Sequence, residues 1–175
     1  MAPRRLFLAL LFVLAACTSA PSATKPGAAP LWRNDTSHLG ADRALVRTCL
    51  TRANAGGATE SCRSVVQAEC MGAVAEDGRV PAVERRCDWR AIAAWEDEMA
   101  VTLSALRTKL GPSSIAELNA SQKAWEASML ADVALNMDLY AGGSLSGPMG
   151  ARVRADAVAS RVIFLEEFRS RVESP

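Results

Sequence analysis

The chain has 175 residues, half of them hydrophobic, with 20 basic and 19 acidic side chains and a single histidine. Near-neutrality excludes a nucleic-acid binder built on a basic stripe and gives no long-range pull towards a cationic partner. One histidine and no Gly-rich phosphate loop leave no cofactor to expect.

The first element is LFLALLFVLAAC, residues 6–17, preceded by Arg4 and Arg5. It is too short for a membrane span, which needs about 20 apolar residues. A positive start, a short apolar run and small residues at its end are the parts of an export signal. Leu14-Ala15-Ala16-Cys17 resembles the bacterial lipobox, in which cleavage precedes a cysteine whose thiol carries diacylglycerol. Residues 1–16 are therefore read as a lipoprotein signal peptide and Cys17 as the lipidated N-terminus, each buried acyl methylene contributing about 0.8 kcal/mol to the anchor. Without Arg4 and Arg5 the chain carries eighteen basic and nineteen acidic groups. The expected place is the bacterial envelope, facing the periplasm. Thr18 rather than Asp after the cysteine resembles outer-membrane more than inner-membrane sorting.

TSAPSATKPGAAP, residues 18–30, is small, Pro-punctuated and nearly uncharged, a composition that cannot bury enough surface to order itself. Residues 17–36 read as lipidated terminus and tether. Trp32 would be odd in a pure linker, so the folded body is placed soon after it, over residues 37–173. Asn34-Asp35-Thr36 is a chance match to a glycosylation sequon.

Helical periodicity then runs to the end, with no sustained strand alternation. Residues 42–53 carry Leu45, Cys49 and Leu50 before Gly56-Gly57. Residues 60–74 place Cys62, Val65, Val66, Cys70 and Ala73 on one face. Residues 83–110 offer Trp89, Ile92, Met99, Leu103, Leu106 and Leu110, ended by Gly111-Pro112. Ser114-Ile115-Ala116-Glu117 reads as a capping box. It opens a helix to about Tyr140 with Leu118, Trp125, Met129 and Val133 inward. After Gly142, Gly143, Gly147 and Pro148, residues 149–172 stack Val158, Val162, Leu165, Phe168 and Val172. The expectation is all-α, a single bundle of about five helices with short connections.

With Cys17 lipidated, Cys49, Cys62, Cys70 and Cys87 remain, an even number suited to two disulfides in an oxidising compartment. Cys62 and Cys70 in one helix would lie about 12 Å apart along its axis, beyond the reach of about 7 Å that a disulfide allows. Of the other two pairings, Cys49–Cys62 with Cys70–Cys87 is favoured, because NAGGAT and EDGRVP supply a turn within each loop. Zinc is disfavoured for want of a Cys-x₂₋₄-Cys pair.

His38 could be drawn as a general base oriented by Asp35 or Asp42. A solvated residue near a helix start is the favoured reading. Glu96-Asp97-Glu98 and Glu166-Glu167 are read as solvated helix faces rather than a glycosidase pair. GGSLSGPMG is read as a helix–helix loop.

Trp95 with its acidic successors, then Gln122-x-x-Trp125, then Gly142-Gly143-Ser144, occur in an order that resembles the LprI-type lysozyme-inhibitor family of small exported helical proteins. The resemblance spans roughly residues 49–168 and extends to a subgroup with cysteines placed like Cys62, Cys70 and Cys87. Two stretches depart from the family pattern. Met99-Ala100-Val101-Thr102-Leu103 stands where Leu-Asn-x-x-Tyr is common. Ser128-Met129-Leu130 and Val133 stand where an aromatic-Arg-Asp and a cysteine are common. The polar features are lost and the apolar frame is kept. The resemblance implies lysozyme inhibition by covering the enzyme's cleft, and joined to the lipobox and the lack of a catalytic constellation it gives a non-enzymatic lipoprotein that binds another protein. Glu96, Asp97, Glu98 and Glu126 are the residues to meet a cationic partner. The alternative is a structural or assembly lipoprotein with a different envelope partner.

Overall fold

Residues 37–54, 59–74 and 81–174 are described by a computed structural model. The signal segment, Cys17, the tether and Trp32 lie outside the described residues. Among the described residues there are five α-helices and no strand. They are α1 (Leu39–Asn54), α2 (Val65–Ala73), α3 (Pro81–Lys109), α4 (Pro112–Leu139) and α5 (Ser146–Glu173), with a 3₁₀ turn, Thr59–Cys62, between α1 and α2.

The apolar stripe of α3 is the spine of the bundle. Its Ile92, Trp95 and Leu106 are fully buried in one cluster with Val158, Val162 and Leu165 of α5 and Val46 of α1. Burying each such aliphatic side chain contributes roughly 1.5–3 kcal/mol relative to leaving it in water. The most extensive helix contact is that of α3 with α5. Cys49–Cys62 ties α1 to the 3₁₀ turn and Cys70–Cys87 ties α2 to α3, with Cα atoms 5.6 and 5.5 Å apart. This is the favoured pairing. Each bridge closes a short loop, and in the chain-entropy account contributes about 3 kcal/mol.

Three local expectations are corrected. The capping box at Ser114 does not form: α4 begins at Pro112, Gly111 is its N-cap in extended conformation, and no side chain caps it. Proline presets the helical φ at the first position and has no N–H to satisfy, so Ser114 already sits within the first turn. The stretch 60–74 is not one helix, because Arg63 and Ser64 form a turn between Cys62 and α2, and Ala73 is exposed. The rise argument against Cys62–Cys70 thus rested on a helix that is broken, although the pairing that the turn-like stretches favoured is the one observed. Lastly, α5 starts at Ser146, so the Gly-rich segment is half helix. Pro148 is tolerated there because a first-turn residue needs no intrahelical N–H partner. Gly142 has φ +80°, a left-handed conformation that glycine adopts without steric cost.

Helix α4 packs chiefly against α5. Of its 28 residues only Leu118 and Met129 are buried. Gln122, Trp125, Val133 and Asn136 lie half-buried along the same stripe. On the far side Ala120, Ala124, Ala127, Ala131 and Ala134 recur in alternating steps of four and three, all exposed. Leu130, Leu135, Met137 and Leu139 are also exposed. A helix this apolar around its circumference is ordinarily buried on both sides.

Candidate functional site

Of the family-motif residues, Trp95 of α3 and Gln122 and Trp125 of α4 lie in or against the core where α3, α4 and α5 meet, and Gly142, Gly143 and Ser144 lie apart from them in the α4–α5 turn. Trp95 is fully buried, and its indole N–H is without a hydrogen-bond partner. Gln122 donates from Nε2 towards Met99 Sδ (3.1 Å) and accepts at Oε1 from Arg161 Nε (3.0 Å). Arg161 Nη2 also donates to Ser121 Oγ at 3.0 Å. The guanidinium lies 5.8 Å from the Trp125 ring centre and 5.3 Å from that of Phe164. The glutamine and the tryptophan, one helical turn apart on α4, thus hold a single arginine of α5 between them. No carboxylate among the described residues pairs with Arg161, and burial lowers its pKa. Arg161 was not among the residues singled out from sequence. Its signal is a cation three residues after Val158 and one before Val162, within the inward stripe of α5.

Gly142, Gly143 and Ser144 form the turn from α4 to α5, where Ser146 Oγ donates to the carbonyl of Met137 at 3.0 Å. Close approach of the two helices follows. A side chain on Gly150 would place its first carbon 2.7 Å from Met137 Cγ.

The acidic run on α3 fans out to different helices, since consecutive helical residues point about 100° apart. Glu96 pairs with Arg154 of α5. Asp97 meets Arg43 of α1 at 2.5 Å, and the buried Glu98 meets Arg47 of α1 at 2.8 Å. Glu126, on α4, is exposed and makes no ion pair among the described residues. His38 is exposed at the start of α1, where its carbonyl accepts the Asp42 amide. The Asp42 carboxylate is taken by Arg90, which donates Nη2 at 2.6 Å and Nε at 2.9 Å, so no His38–Asp42 dyad exists.

Among the described residues four carboxylates are buried, Glu98 and Glu166 against the expectation of solvated helix faces, and three of the four have a guanidinium at hydrogen-bond distance. Asp42 has Arg90, Glu98 has Arg47, and Glu166 has Arg169 at 2.6 Å with the Thr102 hydroxyl at 2.5 Å. Asp88 of α3 is the exception. It is 5% exposed, accepts a hydrogen bond from the neutral Gln67 amide, and has its nearest cation, Arg152 Nη1, at 3.7 Å.

Burial raises the Asp88 pKa against the opposing effects of Gln67 and Arg152. The folded state therefore holds this proton to higher pH than the unfolded chain does. Stability falls as pH rises from the ordinary aspartate range through the raised value. Where Asp88 is ionised, its charge is held at a cost to the fold. Asp88 shares a face with Ala91, Ile92 and Trp95, and an acid in that stripe was the sequence signal for it.

No group of three or more His, Cys, Asp or Glu among the described residues could hold a metal ion, and none of these helices is long and apolar enough to cross a membrane. A family model described as "Lysozyme inhibitor LprI" matches residues 70–165. This range runs from Cys70 of α2 to the buried Leu165 of α5, and takes in Trp95, Gln122, Trp125 and the glycine turn. Neither the curated proteins nor the solved structures contain a match.

Proposed function

The chain belongs to the LprI lysozyme-inhibitor family, and on that premise we propose that it is a lipid-anchored envelope protein that acts by contact, inhibiting lysozyme without chemistry of its own. Cys17 carries the lipid, residues 18–36 give reach, and the bundle presents the contact surface on the periplasmic side of the outer membrane.

The observation that favours contact is the outer side of α4. Its alanine row and the neighbouring Leu130 and Leu135 face solvent on a helix that buries two residues. Contiguous apolar surface of this kind marks protein interaction sites. Small side chains let a partner's backbone come close, while the larger ones fill its hollows. Glu126 lies on the same helix and supplies an unpaired negative charge for a cationic enzyme. Glu96 and Asp97 reach the surface from within ion pairs and contribute less.

The test is a muramidase assay with the oxidised, exported chain carrying Cys17→Ser. Inhibition saturating at one chain per enzyme supports the reading. An unchanged rate at a large excess rejects it. Labelled fatty acid should enter the natural chain and not the Cys17→Ser chain.

A further inference from the structure

Asp88 lies on the wall of an open cavity of about 350 Å³ between α2, α3 and the start of α5. Gln67, from α2, lines the same cavity and is 4% exposed. Its amide nitrogen donates to Asp88, which fixes the other end of the amide as the carbonyl oxygen. That oxygen is buried and accepts no hydrogen bond. A buried acceptor without a donor costs about 1–3 kcal/mol. It stands beside the one buried carboxylate that lacks a close guanidinium. Glu84 adds a second acid to the lining. Arg152 is the lining's one cation, and it lies nearer Asp156, at 3.2 Å, than Asp88. The remaining wall is apolar, with Met71, Leu145 and Met149 its largest parts.

We propose that this cavity receives a cationic side chain, a lysine or arginine, from a protein partner. The partner's N–H groups would meet the Asp88 carboxylate and the Gln67 carbonyl, and its aliphatic stem would lie along Met71, Leu145 and Met149. Long basic side chains bury their methylenes against apolar surface in this way while the charge finds an acceptor. Two carboxylates and one amide oxygen are too few for a calcium ion, which takes six to eight oxygen ligands, and they do not account for the apolar wall. Leu145 is exposed and follows directly on the glycine turn, so part of the cavity's apolar wall is open to solvent. The proposal rests on the contact function above and names the charge that the contact takes up.

The experiment uses the oxidised Cys17→Ser chain with its methionine methyls labelled for NMR. The probe is Nα-acetyl-lysine methylamide, and the uncharged control is the norleucine analogue. Expected is a saturable shift at Met71 and Met149 with the lysine probe alone. Asp88→Asn should weaken it by about tenfold or more, as losing one partner of a desolvated charge pair does. Leu145→Trp, which fills the mouth and leaves the carboxylate in place, should abolish it, with helicity checked for both variants. Equal shifts from the control, unweakened binding by Asp88→Asn, or the same saturable shift from calcium chloride alone would each overturn the proposal.

The muramidase assay separates this proposal from the previous one. Inhibition that survives Asp88→Asn, with no probe binding, removes the cavity and leaves the inhibitor. Probe binding without inhibition keeps the cavity and removes lysozyme as the partner.

Discussion

The two ends of the chain are built on opposite plans. From α1 to the first turns of α3 the elements are short, as few as four and nine residues, and two disulfides cross them. The α4–α5 hairpin consists of two 28-residue helices with no covalent tie, and α4 leaves most of its surface bare. Isolated helices as short as α2 are marginal in water, so the first region depends on its cross-links and on burial against α3. The second holds together through length, a stripe of packing and the Arg161 clip. Rigidity is thus concentrated where Gln67 and Asp88 must be positioned, and apolar exposure where a partner could land.

Removing the cross-links should have the largest effect. Replacing Cys70 and Cys87 by serine should cost about 3 kcal/mol, read as a lowered urea midpoint. Amide exchange should accelerate in α2 and the first turns of α3 and much less in α5. Uniform acceleration through all five helices would show that the two regions unfold as one and erase the contrast. Next in size is Gly150→Val. Overpacking against Met137 should cost roughly 1–3 kcal/mol and loosen α4 from α5, with both disulfides intact by mass mapping. The smallest effect on stability belongs to Leu130→Gln with Leu135→Gln, within about 0.5 kcal/mol each as for surface positions. That pair should nevertheless weaken partner binding. A marked loss of stability would mean that α4's outer side is packed in the free protein.

The helices were legible because their stripes are apolar and their ends are punctuated by Gly-Gly, Gly-Pro and Gly-Gly-Ser. The disulfide pairing was legible from the turn-like NAGGAT and EDGRVP stretches that separate the paired cysteines. Local signals failed where they competed. Pro112 overrode the serine cap, and two turn residues, Arg63 and Ser64, interrupted a pattern that reads as continuous.

The candidate site was much less visible. Gln122 and Trp125 stood out through resemblance, yet their shared partner lies 39 and 36 positions away. Gln67 and Asp88 are ordinary polar residues until α2 is folded onto α3. Glu96, Asp97 and Glu98 form a run in sequence that divides in space, Glu96 turning to α5 while Asp97 and Glu98 turn to successive arginines of α1. Polar partnerships across helices are a property of the assembled bundle, and a linear reading has no access to them.

The four cysteines of the body are joined in consecutive pairs along the chain, 49 to 62 and 70 to 87. A polypeptide threaded out of the cytosol from its amino end would expose these thiols two at a time in the native order. An oxidase that couples whichever thiols emerge together would then make both links correctly. The protein would reach its final connectivity without an isomerase to reshuffle it.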